Sequence, residues 1–306
     1  MNKIINFHRV TNMVWLDNII CYLKSKYKIV NATDLYAFYK NGISLNNTCH
    51  ITIDDGDKSF YDCIFPILKK HNVPASIFVS PKIITEKSNY WFQEIIGYNQ
   101  LELKQIMSDM SKIPINNLMK FSSVSILKTY NINQIHEIIK IYQKKTNTQK
   151  KVFQNMTVNN LKEVNQSKLI TIGAHTLNHP ILQNEDDNIS RYEIKESIFE
   201  LSTLLNQQIK YFAYPNGIPN MDFTLREKTY LRELDIHLSF TTEPKNFSIK
   251  SDTMCIPRMG VTDSESMPFF KTKMFLGSLW SPIIYLKPTG EINERKELIK
   301  SLNYKA

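Results

Sequence analysis

Two carboxylates stand side by side in "TIDDG", Asp54 and Asp55, where an alternating apolar run gives way to glycine. Adjacent like charges repel, so either water solvates both or something positive sits between them. A divalent cation held by one of them lets its neighbour stay ionised close by and act as a base. A second chemistry-bearing stretch is "HTLNHP", in which His175 and His179 stand four residues apart. That interval puts two imidazoles on one face of a helix and converges them equally well in a turn. Chance placement or buried, satisfied histidines also account for such a spacing when it stands alone. Two imidazoles and one carboxylate would make a three-ligand site with open positions for water. The same set serves non-haem iron(II) oxygenases, whose jelly-roll scaffold this chain does not suggest.

Two further stretches belong beside these. "YFAYPNG" ends in a Pro-Asn-Gly turn that includes Tyr214 and Asn216. These residues favour a turn regardless of function, but a turn near a site also aims backbone N–H groups at a reacting oxygen. In "CIPRMGV" an arginine, Arg258, interrupts an apolar strand. A guanidinium there must find a partner or reach water.

The elements that would position these residues read as strands followed by helices. "KIINFHRV", "HITIDD", "ASIFVS", "LITIGAHT", "YFAYP", "IHLSFTT" and "CIPRMGV" are the strand candidates. The clearest helix is "ISRYEIKESIFELSTLLNQQ", with Ile194, Ile198, Leu201 and Leu205 as its core-facing stripe and Ser190 with Glu193 as an expected capping box. Pro66 is expected to kink or restart the helix in which it falls. Alternating strands and helices imply parallel βα units, in an open doubly wound sheet or a barrel. In either, side chains at the carboxyl ends of different strands meet at one face, so the Asp and His stretches are expected to converge. Residues 91–164 read as a helical insertion, and the apolar, aromatic tail beyond Thr262 as an extension packed on the body.

With 306 residues, 42% of them apolar, the chain can bury a large core. The net charge of +9 is spread along it, with a lysine run at "YQKKTNTQKK" that reads as a solvated helix end or as a face for an anionic glycan or membrane surface. No aromatic-interleaved basic motif points to nucleic acid. Four widely spaced cysteines form no CxxC pair and are expected as free thiols. Asn6, His8 and Arg9 interrupt the opening apolar stretch, so no secretory signal is read, and no run is long enough to span a membrane. A cytoplasmic location is expected.

Together these motifs resemble the polysaccharide deacetylases of carbohydrate esterase family 4, the chitooligosaccharide deacetylase homology domain. The family's "T-F-D-D-G" appears as "TIDDG" and its "H-T/S-x-x-H-P" as "HTLNHP", within a resemblance running from about Ile5 to Val261. It implies a distorted (β/α)7 barrel over residues 1–261, with 91–164 inserted and 262–306 as an extension. It implies Asp54 as general base and Asp55, His175 and His179 as ligands of Zn2+, or of Co2+ or Ni2+. The arginine that opens the third motif in many members is replaced by Ala213, and the chain is similar to the branch reading "FAYPNG", in which Arg258 is the candidate guanidinium. The general acid is expected to be His8, with His237 as the alternative. The oxyanion is expected near Tyr214 and Asn216.

The implied reaction is removal of an N-acetyl group from an amino sugar in a glycan. O-deacetylation, other deacylation at the same site and a catalytically silent glycan-binding relative are the alternatives. Without a leader, the expected substrate is a lipid-linked or nucleotide-linked intermediate of surface polysaccharide assembly, with peripheral membrane contact open.

Overall fold

The computed structural model describes residues 1–285 and 291–303; the parts of the expected extension at 286–290 and 304–306 lie outside the described residues. The chain forms two compact units. One comprises Met1–Ser88 and Gln154–Ser281, the other Asn89–Phe153 and Pro282–Ala306.

The first unit holds eight strands: β1 (Lys3–Phe7), β2 (Lys28–Ile29), β3 (Thr48–Ile53), β4 (Ala75–Val79), β5 (Ile170–Ala174), β6 (Tyr211–Ala213), β7 (Leu238–Phe240) and β8 (Met259–Gly260). Every pairing is parallel, in the order β7-β6-β5-β4-β3-β1-β8, with the short β2 beside β3. Ile256, three residues before β8, bridges Phe240 of β7. Its N–H donates to Ser239 and its carbonyl accepts from Thr241, each at 2.9 Å. The curled sheet therefore closes into a distorted (β/α)7 barrel, with β2 as a small addition at the edge of β3. β2 escapes sequence reading because two residues carry no alternation.

Alternation of side chains decides what each strand presents. Ile5, Phe7, Cys49, Ile51, Ile53, Ala75, Ile77 and Val79 point outward into the main apolar core beneath the helices. Asn6, His50, Thr52, Ser76 and Phe78 alternate with them and are buried inside the barrel. The ring is tight there. A Cβ built on Gly173 would lie 2.5 Å from the Phe78 ring and 2.7 Å from the Tyr211 carbonyl, so β5 needs glycine where it passes Phe78. His50 donates from Nδ1 to Val30 O at 2.7 Å and accepts from Ser76 Oγ at 2.9 Å. Burial pushes its imidazole down to about 4, so it is a neutral structural histidine.

Two local expectations resolve differently. Pro66 does restart a helix: a π-helical turn, Phe60–Ile64, gives way to the α-helix Phe65–His71 with proline in its first turn, where the missing N–H is no loss. The capping box at Ser190 does not form. The long helix spans Asp187–Leu205 and is capped by Asp186, whose side chain accepts from Ile189 N at 2.9 Å. Ser190 instead donates to Glu227 at 2.7 Å, because the helix begins a turn earlier and leaves Ser190 inside it. Farther on, the helix Met267–Leu276 buries Phe270 and Met274 in the same core as the barrel helices.

The second unit is helical. Its core gathers Trp91, Leu103, Ile135, Ile138 and Leu298, and Asn131 with Gln134 makes a capping box for the helix Ile132–Thr146. No helix among the described residues is long and apolar enough to cross a membrane.

Candidate active site

The inward-facing series on three strands ends in polar residues. One position past β3 stands Asp54, one past β1 stands His8, and one past β5 stands His175. All three emerge at the carboxyl ends of parallel strands, as the βα reading requires.

Asp54 is 2% exposed and bound on both oxygens. Arg258 donates from Nη1 to Oδ1 and from Nη2 to Oδ2, both at 2.8 Å, a bidentate pair. Asn6 adds a third donor at 3.0 Å to Oδ2. Arg258 is itself fully buried: its Nε donates to Thr241 O at 2.9 Å, and its guanidinium carbon lies 5.6 Å and 5.8 Å from the centres of the Phe78 and Phe240 rings. Burial pushes the Asp54 carboxyl up, but the Arg258 charge, His175 and the paired hydrogen bonds outweigh it and hold the group below the usual carboxylate range. With Asp54 as the expected base, which works only above its own pKa, Arg258→Gln is expected to raise that pKa and move the acid limb of kcat/KM to higher pH. A pH–rate profile with an unmoved limb would refute this linkage.

Asp55 adopts φ 74°, and Gly56 follows at φ 72°. This left-handed step swings the second carboxylate away from Arg258. Asp55 Oδ1 faces His175 Nε2 at 3.4 Å and His179 Nε2 at 3.6 Å, and one donor atom from each of the three residues lies within 4.8 Å of the others. All three are buried. Ligand atoms on one tetrahedral zinc, with bonds of roughly 2.0–2.2 Å, stand about 3.3–3.6 Å apart, so the observed spacing suits a shared cation. His175 Nδ1 donates to Ala213 O at 2.7 Å, which fixes the tautomer and leaves Nε2 directed at Asp55. Burial pushes the Asp55 carboxyl up, while His175, His8 and His179 together hold it well below its ordinary range. The same balance raises His175: burial lowers it, and the Asp55 and Asp54 charges more than compensate.

His8 lies 3.9 Å from Asp54 Oδ2 through its Nε2, with its side chain half exposed. The loop carrying it is tied down by Asp54 N to Phe7 O at 2.9 Å and by Val10 N to Ser59 Oγ at 3.2 Å. His237 stands elsewhere. It precedes β7, at the amino ends of the parallel strands, and stacks on Tyr36 with ring centres 3.8 Å apart. The structure thus brings His8, and not His237, to Asp54.

Tyr214 turns into the core. Its ring stacks on Phe223 at 3.6 Å, its hydroxyl donates to Met254 O at 2.9 Å, and its N–H donates to Phe240 O at 3.2 Å. Both donors are spent, which corrects its expected substrate role to one of packing. Asn216 takes φ 59°, and its side chain donates to the buried Asp222 at 2.6 Å. Asp222 also accepts from Ile218 N at 2.7 Å, so one carboxylate sets the Pro-Asn-Gly turn.

Two residues here were not anticipated. Asn6 is signalled only by being polar within an apolar strand. Glu193, expected as a cap, instead reaches the histidine loop. It accepts from Leu177 N at 3.0 Å, Asn178 N at 2.9 Å and Asn178 Nδ2 at 2.5 Å, and burial raises its carboxyl. Glu193→Gln puts an amide donor where an acceptor is needed. It is expected to weaken metal affinity about 10–100-fold, as losing a ligand's support does, while circular dichroism stays native; unchanged affinity would show that the loop holds itself.

Comparison with known proteins follows the same lines. The sequence profile described as "Polysaccharide deacetylase" matches residues 44–234. A poly-beta-1,6-N-acetyl-D-glucosamine N-deacetylase of Staphylococcus aureus (strain MRSA252) is 24% identical over 165 residues, covering 42% of this chain and 56% of the relative. The chain thus spans little more than half the length of that relative. Among solved structures, IcaB from Ammonifex degensii aligns with TM-score 0.60 at 18% identity, over 90% of this chain and 97% of its own. The Streptococcus pyogenes deacetylase PplD, in complex with acetate, aligns with TM-score 0.58 at 17% identity, over 89% and 97%. At such identities the structural likeness is one of fold. The profile, however, spans more than half of the sequence and takes in both the paired aspartates and the histidine loop, and the chain belongs to the polysaccharide deacetylase family.

Proposed function

We propose that this chain is a metal-dependent hydrolase that removes the N-acetyl group of an amino sugar in a glycan or glycan precursor. The observation that carries the reading is the pairing of two differently treated carboxylates at one barrel mouth. Asp54 is clamped by Arg258, and Asp55 faces two imidazoles. Asp55, His175 and His179 fit a divalent transition metal by donor type and by spacing. When bound, Zn2+, Co2+ or Ni2+ would supply Lewis acidity to the acetyl oxygen and an acidified water, with zinc bringing that pKa to about 7.

The remaining steps fall to the chain's own groups. Asp54, kept ionised by Arg258, takes a proton from the water as its oxygen bonds to the carbonyl carbon. The left-handed turn at Asn216 supports a role for a backbone N–H there as donor to the oxyanion. His8, in its imidazolium form, gives a proton to the nitrogen as the C–N bond breaks, so acetate and a free amine leave. Arg258 fills the orienting role for which Ala213 has no side chain.

The S. aureus relatives are named for poly-β-1,6-N-acetyl-D-glucosamine, and we take an N-acetylglucosamine polymer or oligomer, free or lipid-linked, as the substrate class. The test is acetate and amine release from N-acetylated and O-acetylated oligosaccharides, alongside metal content. Acetate with one new amine per turnover from the N-acetylated series is expected. Release from O-acetyl esters alone would make the chain an O-deacetylase. Glycan binding with no acetate from either series would make it a silent binding relative.

A further inference from the structure

Outside the barrel mouth, a second set of metal-ligating side chains sits on two neighbouring helices. The helix Met13–Lys26 places Asp17 and Cys21 one turn apart on one face, and His71 ends the helix Phe65–His71. One donor atom from each lies within 4.8 Å of the others. His71 Nε2 is already aimed at Asp17 Oδ1, at 2.8 Å. Asp17 and His71 are partly buried and Cys21 is an exposed free thiol, so solvent and ions reach the set.

Oxygen, nitrogen and sulfur donors together select a borderline-soft dication; a thiolate excludes Mg2+ and Ca2+. We propose that Asp17, Cys21 and His71 form a second site for a transition metal of the Zn2+ or Co2+ class, which pins the two helices to each other. Two cations face it. Lys70 Nζ sits 2.8 Å from Asp17 Oδ1, and Lys24 Nζ donates to His71 O at 2.8 Å. The Lys70 side chain is 60% exposed, so its ion pair contributes little and its ammonium moves to water when a dication takes the seat. Binding forms a metal–sulfur bond and a metal–nitrogen bond: the Cys21 thiol proton goes to buffer, the proton that His71 Nε2 shares with Asp17 moves to Nδ1 or to buffer, and the Asp17 carboxylate binds without proton loss.

The proposal is independent of the barrel-mouth reading, and one spectrum separates them. Asp55, His175 and His179 contain no sulfur, so a thiolate-to-cobalt charge-transfer band cannot arise at the barrel mouth, and its loss in Cys21→Ser assigns it to Cys21 over Cys49, Cys63 and Cys255. Titrating Co2+ into the intact protein is expected to give that band, saturating at one thiolate-ligated ion per chain. It should vanish in Cys21→Ser and shift at least tenfold to higher Co2+ in His71→Ala. Zn2+ should raise the Tm of the unaltered protein more than that of Cys21→Ser. No band at excess Co2+, or an equal band in Cys21→Ser, overturns the site and leaves Asp17, Lys70 and His71 as an ion-pair cluster.

Discussion

Asp54→Asn is expected to keep its metal and lose turnover by about 10^2–10^4-fold, the range that a positioned general base contributes. The substitution is nearly isosteric, and Asn6 and Thr241 still engage Arg258, so the barrel should hold. It should not be free of cost. Arg258 loses the carboxylate that neutralises it in a buried setting, and breaking such a pair typically destabilises by about 3–5 kcal/mol. Metal analysis, kcat and a melting curve therefore belong in one experiment. A normal metal content with kcat near that of the unaltered protein would remove Asp54 from the chemistry.

Asp55→Asn and His175→Ala should do the reverse and abolish metal binding. With one of three protein donors gone, affinity should fall by more than about a hundredfold, beyond the loss that supporting residues cause, and acetate release should fall with it. Asparagine is the better replacement at 55, because the φ of 74° there disfavours alanine. His175→Ala also strands the Ala213 carbonyl inside the barrel, at about 1–3 kcal/mol. Metal analysis after dialysis, followed by Zn2+ addition, checks the reading. Full metal retention in both variants would mean that the cation sits elsewhere.

The two predictions draw on residues that are legible in the sequence, and the reason is physical. Asp54, Asp55, His175 and His179 carry their chemistry in their own side chains, and parallel βα topology guarantees that strand ends meet. Arg258 was legible as a charge that an apolar strand must satisfy. Glu193 was not, because its task depends on a loop 15 and 16 residues back along the chain being folded beside it. From sequence it offered only the local pattern of a cap, and the cap was taken by Asp186. Tyr214 misled for a related reason: a tyrosine in a turn looks available until the core around Phe223 claims its ring. His8 and His237 were separable only by which end of a strand each occupies.

The clamp on Asp54 has a consequence for when activity can arise during folding. Its two partners in the barrel lie 48 and 204 positions away along the chain, and long loops close late. Until the strand segment around Arg258 docks, the acid lacks its bidentate counter-charge, the largest influence that keeps it ionised. Full competence is therefore deferred to the last stage of ring assembly, and a half-built barrel with every metal donor in place would lack the clamp that keeps its acid ionised.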